Sequence, residues 1–489
     1  MSLVLLLDHL KQTSALSQAA GLLSWDQETM MPPKGGAIRA EQAGALAHVI
    51  HERKADPRIA DWAATIDRAT LSAFDRRNVE EALRAHDRAN RIPARLAEAT
   101  AIAASEGQRI WARARAERDF AAFAPALKRN IDLARERAAC LSVEGAAPYD
   151  ALLDEFEPGM RSAELWPMLE GMRPRLKALR EKIADRPRPD ALTGAFPAAA
   201  QMRLAAQIAR QIGYDFEAGR LDKAAHPFSS GAVGDARITT RTDEADPFGC
   251  VYSTIHEVGH ALYTLGAVDP FLPAADYCSM GVHESQSRFW ENQIARSRPF
   301  ADWLYPAMCE AFGAMNLEGP EPLYRAVNLV QTGFIRTEAD EVHYNLHILL
   351  RFELERELIA GDLEVEDLEA AWNTRFLRDF GLEVPDPTLG VLQDVHWSVG
   401  LFGYFPTYSL GNIYAACLDE AMRAVLPERD ALIRTAQMAP ILAWMREKIH
   451  SQGRLYAAPQ LIEQATGKRP TPEPLLVYLE AKFGALYDL

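Results

Sequence analysis

The sequence predicts a mainly α-helical protein that forms one large domain over residues 1–489 and carries a small β element. Long stretches rich in Ala, Leu, Arg and Glu place apolar residues at intervals of three and four. No long Gly/Ser-rich or Pro-rich linker and no fixed-period repeat interrupts these stretches. The length alone would allow two or three domains, but this continuity favours a single helical unit.

Five stretches show the helical spacing most clearly, and short breaks containing Pro or Gly separate the helical segments. The predicted helices cover residues 37–52, 75–90, 92–124, 126–141 and 162–185. The breaks fall at residues 32–33, 145–148, 158–159, 187–189 and 470–474.

Composition and charge exclude several classes of protein. A net charge of −15 disfavours nucleic acid and anionic membranes as partners. No apolar run reaches the roughly 18 residues of a membrane span, and the N-terminus lacks the features of a signal peptide. The five cysteines are odd in number and widely spaced, as expected for reduced thiols. We therefore expect a cytoplasmic protein.

The most informative motif is His256-Glu257-Val258-Gly259-His260, which His283-Glu284 follows further along the chain. Residues four apart on a helix share one face, so His256 and His260 can bind one zinc ion. Glu284 is the natural third ligand, which leaves a fourth position open for water and substrate. Glu257 lies where a general base for that water is needed. These residues predict a zinc hydrolase.

The residues around the motif support the helix that this arrangement requires. Asp246 can cap the N-terminus, Pro247 suits the first helical position and Gly266 suits the far end. Apolar residues recur between them at helical spacing, at Val251, Ile255, Val258 and Leu262.

The clearest strand signal lies just before this helix, at residues 234–242, which alternate in polarity and are rich in β-branched residues. The exposed edge of such a strand could pair with an extended peptide. A small structural hairpin that closes one end of the helical fold is an equally good interpretation.

Two further clusters carry more functional side chains than ordinary helix faces do. Residues 335–340 precede a helix with His343 and His347, and residues 390–397 lead into residues 403–408. With the segments 235–239, 256–260 and 283–286, these clusters resemble the motif set of the carboxypeptidase Taq family of metallocarboxypeptidases. Softer matches lie at residues 25–29, 149–153, 157–159 and 226–228.

The resemblance implies a helical fold with a small β element and a deep substrate groove, usually as a homodimer. It implies removal of C-terminal residues, one at a time, from peptides with a free C-terminus. Family members use zinc or sometimes cobalt, and we expect one ion per chain. His256, His260 and Glu284 match the metal ligands, and Glu257 matches the base.

Recognition of a C-terminal carboxylate needs a cation, for which the planar fork of arginine is well suited. Arg336 is the first candidate and Arg237, in the same segment as Asp235, is the second. An ion pair between Arg336 and Asp340 is the competing explanation for the first. Asp235 is a further candidate for substrate binding, and His283 is a candidate either for substrate binding or for orienting a metal ligand. His396, Tyr404 and Tyr408 are candidate donors to the oxyanion of the transition state.

Three alternatives stay open at this stage. His343 and His347 have the spacing of a second metal pair, although no clear third ligand accompanies them. A zinc oligoendopeptidase would share the same ligands and a helical groove, and a peptide-binding protein with a structural metal would share the ligands alone.

After the metal helix the family commonly carries Tyr-Glu-Gln-Gly, whereas this chain has Tyr263-Thr264-Leu265-Gly266. This difference leaves the side-chain preference of the groove open.

Overall fold

A computed structural model describes all residues, 1–489, and confirms a mainly helical fold with a small sheet. The helices are α1 Ser2–Thr29, α2 Gly36–Ala55, α3 Arg58–Ala64, α4 Ala73–Arg91, α5 Ala94–Glu117, α6 Phe120–Leu141, α7 Pro148–Leu153, α8 Ser162–Glu170, α9 Arg173–Ala184, α10 Ala198–Ile212, α11 Pro247–Leu265, α12 Met280–Arg288, α13 Arg298–Phe312, α14 Pro320–Val327, α15 Glu341–Ala360, α16 Leu368–Phe380, α17 Pro406–Val425, α18 Arg429–Arg434, α19 Ala439–Lys448, α20 Ala458–Thr466 and α21 Glu473–Tyr487. The strands are β1 Leu221–Lys223, β2 Ser229–Ala232 and β3 Asp235–Thr240. No helix is both long and apolar enough to cross a membrane.

Two predicted helix boundaries are wrong, and local backbone conformation explains both. The break expected beside Pro125 lies earlier, because Arg118 adopts a left-handed conformation with φ of 58° that ends α5. Asp119 then caps α6, and Pro125 is accommodated inside that helix. The stretch predicted as one helix over residues 162–185 is two helices, because a turn at Gly171 separates α8 from α9.

The strand predicted at residues 234–242 is confirmed as β3, but it is not an edge strand. It lies at the centre of the sheet, parallel to β1 and antiparallel to β2. Because neighbours occupy both of its edges, β3 has no edge to offer a peptide. The edge strand beside the groove described below is β2.

Most buried apolar side chains form one large core, which includes residues of α11, α12, α15 and α17. A separate small cluster joins α1, α3 and α4 through Leu6, Leu10, Ile59, Ala63, Val79 and Ala82. Small satellite clusters of this kind commonly accompany the main core of a domain.

A groove of about 820 Å³ runs between the N-terminal helices and the rest of the fold. Residues of α1 and α4 line one side of it, and β2 with the chain that follows α11 lines the other. Among the lining residues, His283 contacts the metal-ligand candidate His260, so this end of the groove adjoins the candidate site. The deep groove that the family resemblance implies is therefore present.

Candidate metal centre

Three side chains from α11 and α12 converge on one point. The Nε2 atoms of His256 and His260 lie 3.6 and 3.4 Å from the same oxygen, Oε2 of Glu284. One potential ligand atom from each of the three residues lies within 4.8 Å of the others. Asp246 caps α11 and Pro247 begins it, as predicted, so both histidines lie on one face of a regular helix. The three predicted ligands are thus brought together.

Two glycines allow Glu284 to come this close to the histidines. A Cβ atom on Gly259 would lie 2.6 Å from the backbone of Gln286 and Ser287. On the opposite side of α12, a Cβ atom on Gly411 would lie 2.4 Å from Cγ of Glu284. Helix α12 therefore packs so closely between α11 and α17 that positions 259 and 411 have no room for a side chain.

Each histidine is fixed through its second ring nitrogen. Nδ1 of His256 lies 2.9 Å from Oε2 of Glu291, and Nδ1 of His260 lies 2.5 Å from Nδ1 of His283. A ligating histidine commonly donates its other N–H to such a partner, which fixes the tautomer and the ring orientation. The lone pair of each Nε2 atom is thereby directed towards Glu284.

Glu284 is held on the side away from the histidines. The Nε–H of Arg288 donates to Glu284 Oε1 at 2.7 Å, and Nη1 of Arg288 reaches Glu291 at 3.1 Å. Although burial opposes ionisation, Arg288 and His256 keep the pKa of Glu284 well below its usual range. Glu284 is therefore a carboxylate even though only 5% of it is exposed.

Glu291 lies in a π-helical segment, Phe289–Ala295, that continues directly from α12. Such segments are rare and are found frequently at functional sites. The nine residues from His283 to Glu291 thus supply one metal-ligand candidate and side chains that contact all three. The sequence motifs indicated His283 and Glu284 but gave no role to Arg288 or Glu291.

Glu257 is buried beside the three ligand candidates, with only 6% of the residue exposed. Burial raises the pKa of Glu257, while the neighbouring His256 and His260 oppose that rise. In contrast to Glu284 and Glu291, no side chain pairs with its carboxylate. A carboxylate of raised pKa with no fixed partner suits a proton acceptor.

A second buried acid, Glu157, contacts the N-terminus of α12. Its Oε1 accepts the N–H of Gly281, and its Oε2 has no hydrogen-bond partner. Burial raises the pKa of Glu157 to about 8, although the hydrogen bond from Gly281 opposes that rise. Glu157 is therefore mostly protonated at neutral pH in the folded protein.

This protonation predicts how stability depends on pH. The unfolded chain releases the Glu157 proton near pH 4.5 and the folded chain near pH 8. The contribution of Glu157 to the free energy of unfolding therefore falls as pH rises through that interval and is constant above it. We expect the free energy of unfolding of Glu157→Gln to match that of the wild type at about pH 5. At about pH 8 it should exceed the wild-type value by a few kcal/mol. Urea denaturation at both pH values measures this, and an equal difference at both would contradict it.

Arg336 is buried and paired, but not with the residue that the sequence suggested. Its Nε and Nη2 donate to Oδ1 of Asp394 at 3.0 and 2.8 Å, and its Nη1 lies 3.2 Å from the hydroxyl of Tyr344. The competing interpretation of Arg336, an ion pair with Asp340, is wrong, because Asp340 caps α15 and bonds His343 instead. Arg351 reaches the other oxygen of Asp394 at 2.6 Å. Two guanidinium groups therefore share one carboxylate, which leaves one positive charge in excess.

An aromatic group adjoins Arg336 and contains the three predicted oxyanion donors. The guanidinium of Arg336 lies 4.8 Å from the ring centre of Tyr408, whose hydroxyl is 3.2 Å from Nε2 of His396. The rings of Tyr404 and Tyr408 are 5.3 Å apart. Burial is the main cause that lowers the pKa of His396 to about 3, so this imidazole is neutral.

Asp235 and Arg237 lie together on β3, apart from these groups. Asp235 accepts hydrogen bonds from Nε and Nη2 of Arg237, and the guanidinium stacks on Trp25 of α1 at 4.4 Å. Neither residue forms a hydrogen bond or ion pair with the ligand candidates or with Arg336. Their contacts join the sheet to the N-terminal helix.

The alternative of a second metal site at His343 and His347 finds no support. His343 bonds Asp340 and Thr332 through its two ring nitrogens. His347 is completely buried against Phe380, and neither of its nitrogens has a partner. The structure contains one group of three or more side chains that could share an ion, and it is the group on α11 and α12.

Comparison with known proteins decides the family. The family model described as carboxypeptidase Taq (M32) metallopeptidase matches residues 5–483. The chain belongs to the M32 carboxypeptidase family. Thermostable carboxypeptidase 1 of Thermus thermophilus is 42% identical over 99% of this chain and 98% of that protein. Carboxypeptidase 1 of Bacillus subtilis is 35% identical over the same shares.

Solved structures agree with this assignment. The crystal structure of the M32 carboxypeptidase from Deinococcus radiodurans R1 has a TM-score of 0.96 and 35% identity, and the match covers 100% of both chains. Trypanosoma cruzi metallocarboxypeptidase 1 has a TM-score of 0.95 and 34% identity over 99% of both chains. This M32 chain is therefore a metallocarboxypeptidase, a metal-dependent hydrolase of peptides, and the alternative of an oligoendopeptidase is not favoured.

Proposed function

We propose that His256, His260 and Glu284 bind one divalent ion per chain, and that this ion is zinc, with cobalt as a substitute. The observation that carries the proposal is the convergence of two Nε2 atoms and one carboxylate oxygen within 4.8 Å. Two imidazoles and one carboxylate are a common ligand set of catalytic zinc sites. Each ligand candidate also has its own hydrogen-bond partner, as is usual around a bound metal: Glu291 for His256, His283 for His260 and Arg288 for Glu284.

The ion, when bound, would lower the pKa of a water molecule and polarise the scissile carbonyl. Glu257 would take the proton from the attacking water and return it to the departing amine. Its burial and its raised pKa favour both transfers, because the proton is accepted and then released within one turnover. Tyr404, Tyr408 or the neutral His396 would donate a hydrogen bond to the developing oxyanion.

Arg336 would bind the C-terminal carboxylate of the peptide. Asp394 orients its guanidinium, and the shared pairing with Arg351 leaves a net positive charge that a substrate carboxylate can neutralise. The preceding part of the peptide would lie in the 820 Å³ groove, beside the free edge of β2. Asp235 and Arg237, which pair with each other, would contribute to substrate binding by holding the sheet against α1.

The test is mass spectrometry of a mixed peptide pool after incubation, with and without a chelator. We expect stepwise loss of residues from the C-terminus, which stops in the chelator and returns when zinc or cobalt is added. Cleavage within peptides, or activity that resists the chelator, would contradict the proposal.

Gly411→Ala provides a test of the ligand assignment that leaves the ligands unchanged. Because the new Cβ would lie 2.4 Å from Cγ of Glu284, we expect it to displace this ligand and to weaken zinc binding about tenfold or more. Gly484→Ala is the matched control, since its Cβ on α21 meets nothing within 4 Å. A chelator competition assay measures both variants. Equal zinc affinity for Gly411→Ala and the wild type would show that Glu284 does not bind the ion.

The proposal extends to the domain organisation, the location and the partners of the protein. We propose a single domain over residues 1–489, because one core contains most of the buried apolar side chains. The free state of all five cysteines is consistent with a cytoplasmic protein. The family resemblance supports a homodimer, and the net charge supports the absence of nucleic acid and membrane partners. Sedimentation analysis would test the dimer.

A further inference from the structure

The two candidate histidine ligands differ in the partner that holds them. His256 bonds a carboxylate, Glu291, that two arginines surround. His260 bonds another imidazole, that of His283, through Nδ1 atoms 2.5 Å apart. A carboxylate or a backbone carbonyl is the usual acceptor at such a position, so an imidazole requires a separate explanation.

The protons of the His260–His283 pair can be assigned from the geometry. Nε2 of His260 faces Glu284 and needs its lone pair to bind an ion, so the proton of a neutral His260 lies on Nδ1. That N–H must then donate to Nδ1 of His283, which accepts through its own lone pair. The proton of His283 is consequently on Nε2, and His283 is neutral.

The surroundings of His283 fit this arrangement. The edge of Tyr277 meets the His283 ring at 5.1 Å, and the ring of Tyr263 lies 5.3 Å away, so the imidazole has little freedom to rotate. His283 also lines the groove, so both roles that the sequence left open for it, orienting a ligand and contacting substrate, have to be separated by experiment.

We infer that His283 is a positioning residue whose Nδ1 accepts the Nδ1–H of His260 and so fixes the tautomer and direction of this metal ligand. This role is distinct from binding metal or contacting substrate. It rests on the proposed metal site, since without an ion at His260 the direction of that ring would have no function.

Three substitutions separate this role from the alternatives. Asparagine can place its Oδ1 near the position of the imidazole Nδ1, so His283→Asn keeps an acceptor for His260. His283→Phe keeps a ring of similar shape but has no acceptor. His51→Phe is the control, because His51 lines the same groove without a contact to the ligand candidates.

The measurement is zinc affinity by chelator competition, with the visible spectrum of the cobalt form as a second readout of ligand geometry. We expect His283→Phe to lose about 10- to 100-fold in zinc affinity and to change the cobalt spectrum. His283→Asn should recover most of that loss, and His51→Phe should match the wild type. Circular dichroism of the metal-free proteins confirms that the variants are folded.

Each result decides between the possibilities. Wild-type affinity and an unchanged cobalt spectrum in His283→Phe would overturn the positioning role. An equal loss in His283→Asn and His283→Phe would also overturn it, because the acceptor would then be irrelevant. Failure of the wild type itself to bind zinc or cobalt would overturn the metal site as a whole, and that outcome is visible before any variant is compared.

Discussion

Glu257→Gln is expected to lower kcat by about 10²- to 10⁴-fold while the protein keeps its metal. Glutamine has nearly the same shape as glutamate, but its amide cannot take a proton from water at neutral pH. The proposed ligand atoms belong to His256, His260 and Glu284, so the substitution removes none of them. Elemental analysis of the purified variant and turnover of one peptide measure the two properties.

Glu284→Ala is the contrasting variant, because it removes a proposed ligand and leaves the proposed base, Glu257. We expect it to lose both metal affinity and activity, since a catalytic zinc site normally has three protein ligands. Loss of metal from Glu257→Gln would show that the residues of α11 are assigned wrongly. Stoichiometric metal in Glu284→Ala, with unchanged affinity, would show that another residue supplies the third ligand.

The sequence was sufficient to predict the convergence of the metal-ligand candidates, because most of that information is local. The spacing of His256 and His260 depends only on helical geometry, and Asp246 and Pro247 mark where the helix begins. The prediction of Glu284 as the third ligand depended on tertiary structure, which local spacing does not give. Gly259 lets α12 pack close to α11 because it has no side chain, but the sequence does not indicate which helix packs against this glycine.

The ion-pair partners were harder to predict because they are distant in sequence. Spacing offers Asp340 as the ion-pair partner in the competing interpretation of Arg336, whereas the actual partner, Asp394, lies 58 residues away in a segment without regular structure. Arg351 looks like an ordinary charged residue on a helix, yet it is completely buried against Asp394. Glu291 depends on a π-helical segment, for which the sequence gives no local signal.

The role of Arg336 requires a test that separates recognition of a free carboxylate from chemistry at the metal. We expect Arg336→Ala to lower kcat/KM for a free-acid peptide by about two orders of magnitude, because a buried charge left without its partner costs about 2–5 kcal/mol. Metal content should stay unchanged. Arg351 still pairs with Asp394 in this variant, so the buried carboxylate keeps a counter-charge and the fold should persist.

The same peptide with an amidated C-terminus completes the test. The wild type should cleave this amide poorly, because it offers no carboxylate to pair with Arg336. For the same reason, Arg336→Ala should lower kcat/KM for the amide far less than for the free acid. Comparing two substrates with two enzymes isolates that coupling, as a double-mutant cycle does. Arg237→Ala should show no such coupling, since Asp235 already pairs with Arg237. Equal losses on acid and amide in Arg336→Ala would mean that Arg336 serves only to hold Asp394, and a selective loss in Arg237→Ala would transfer carboxylate recognition to β3.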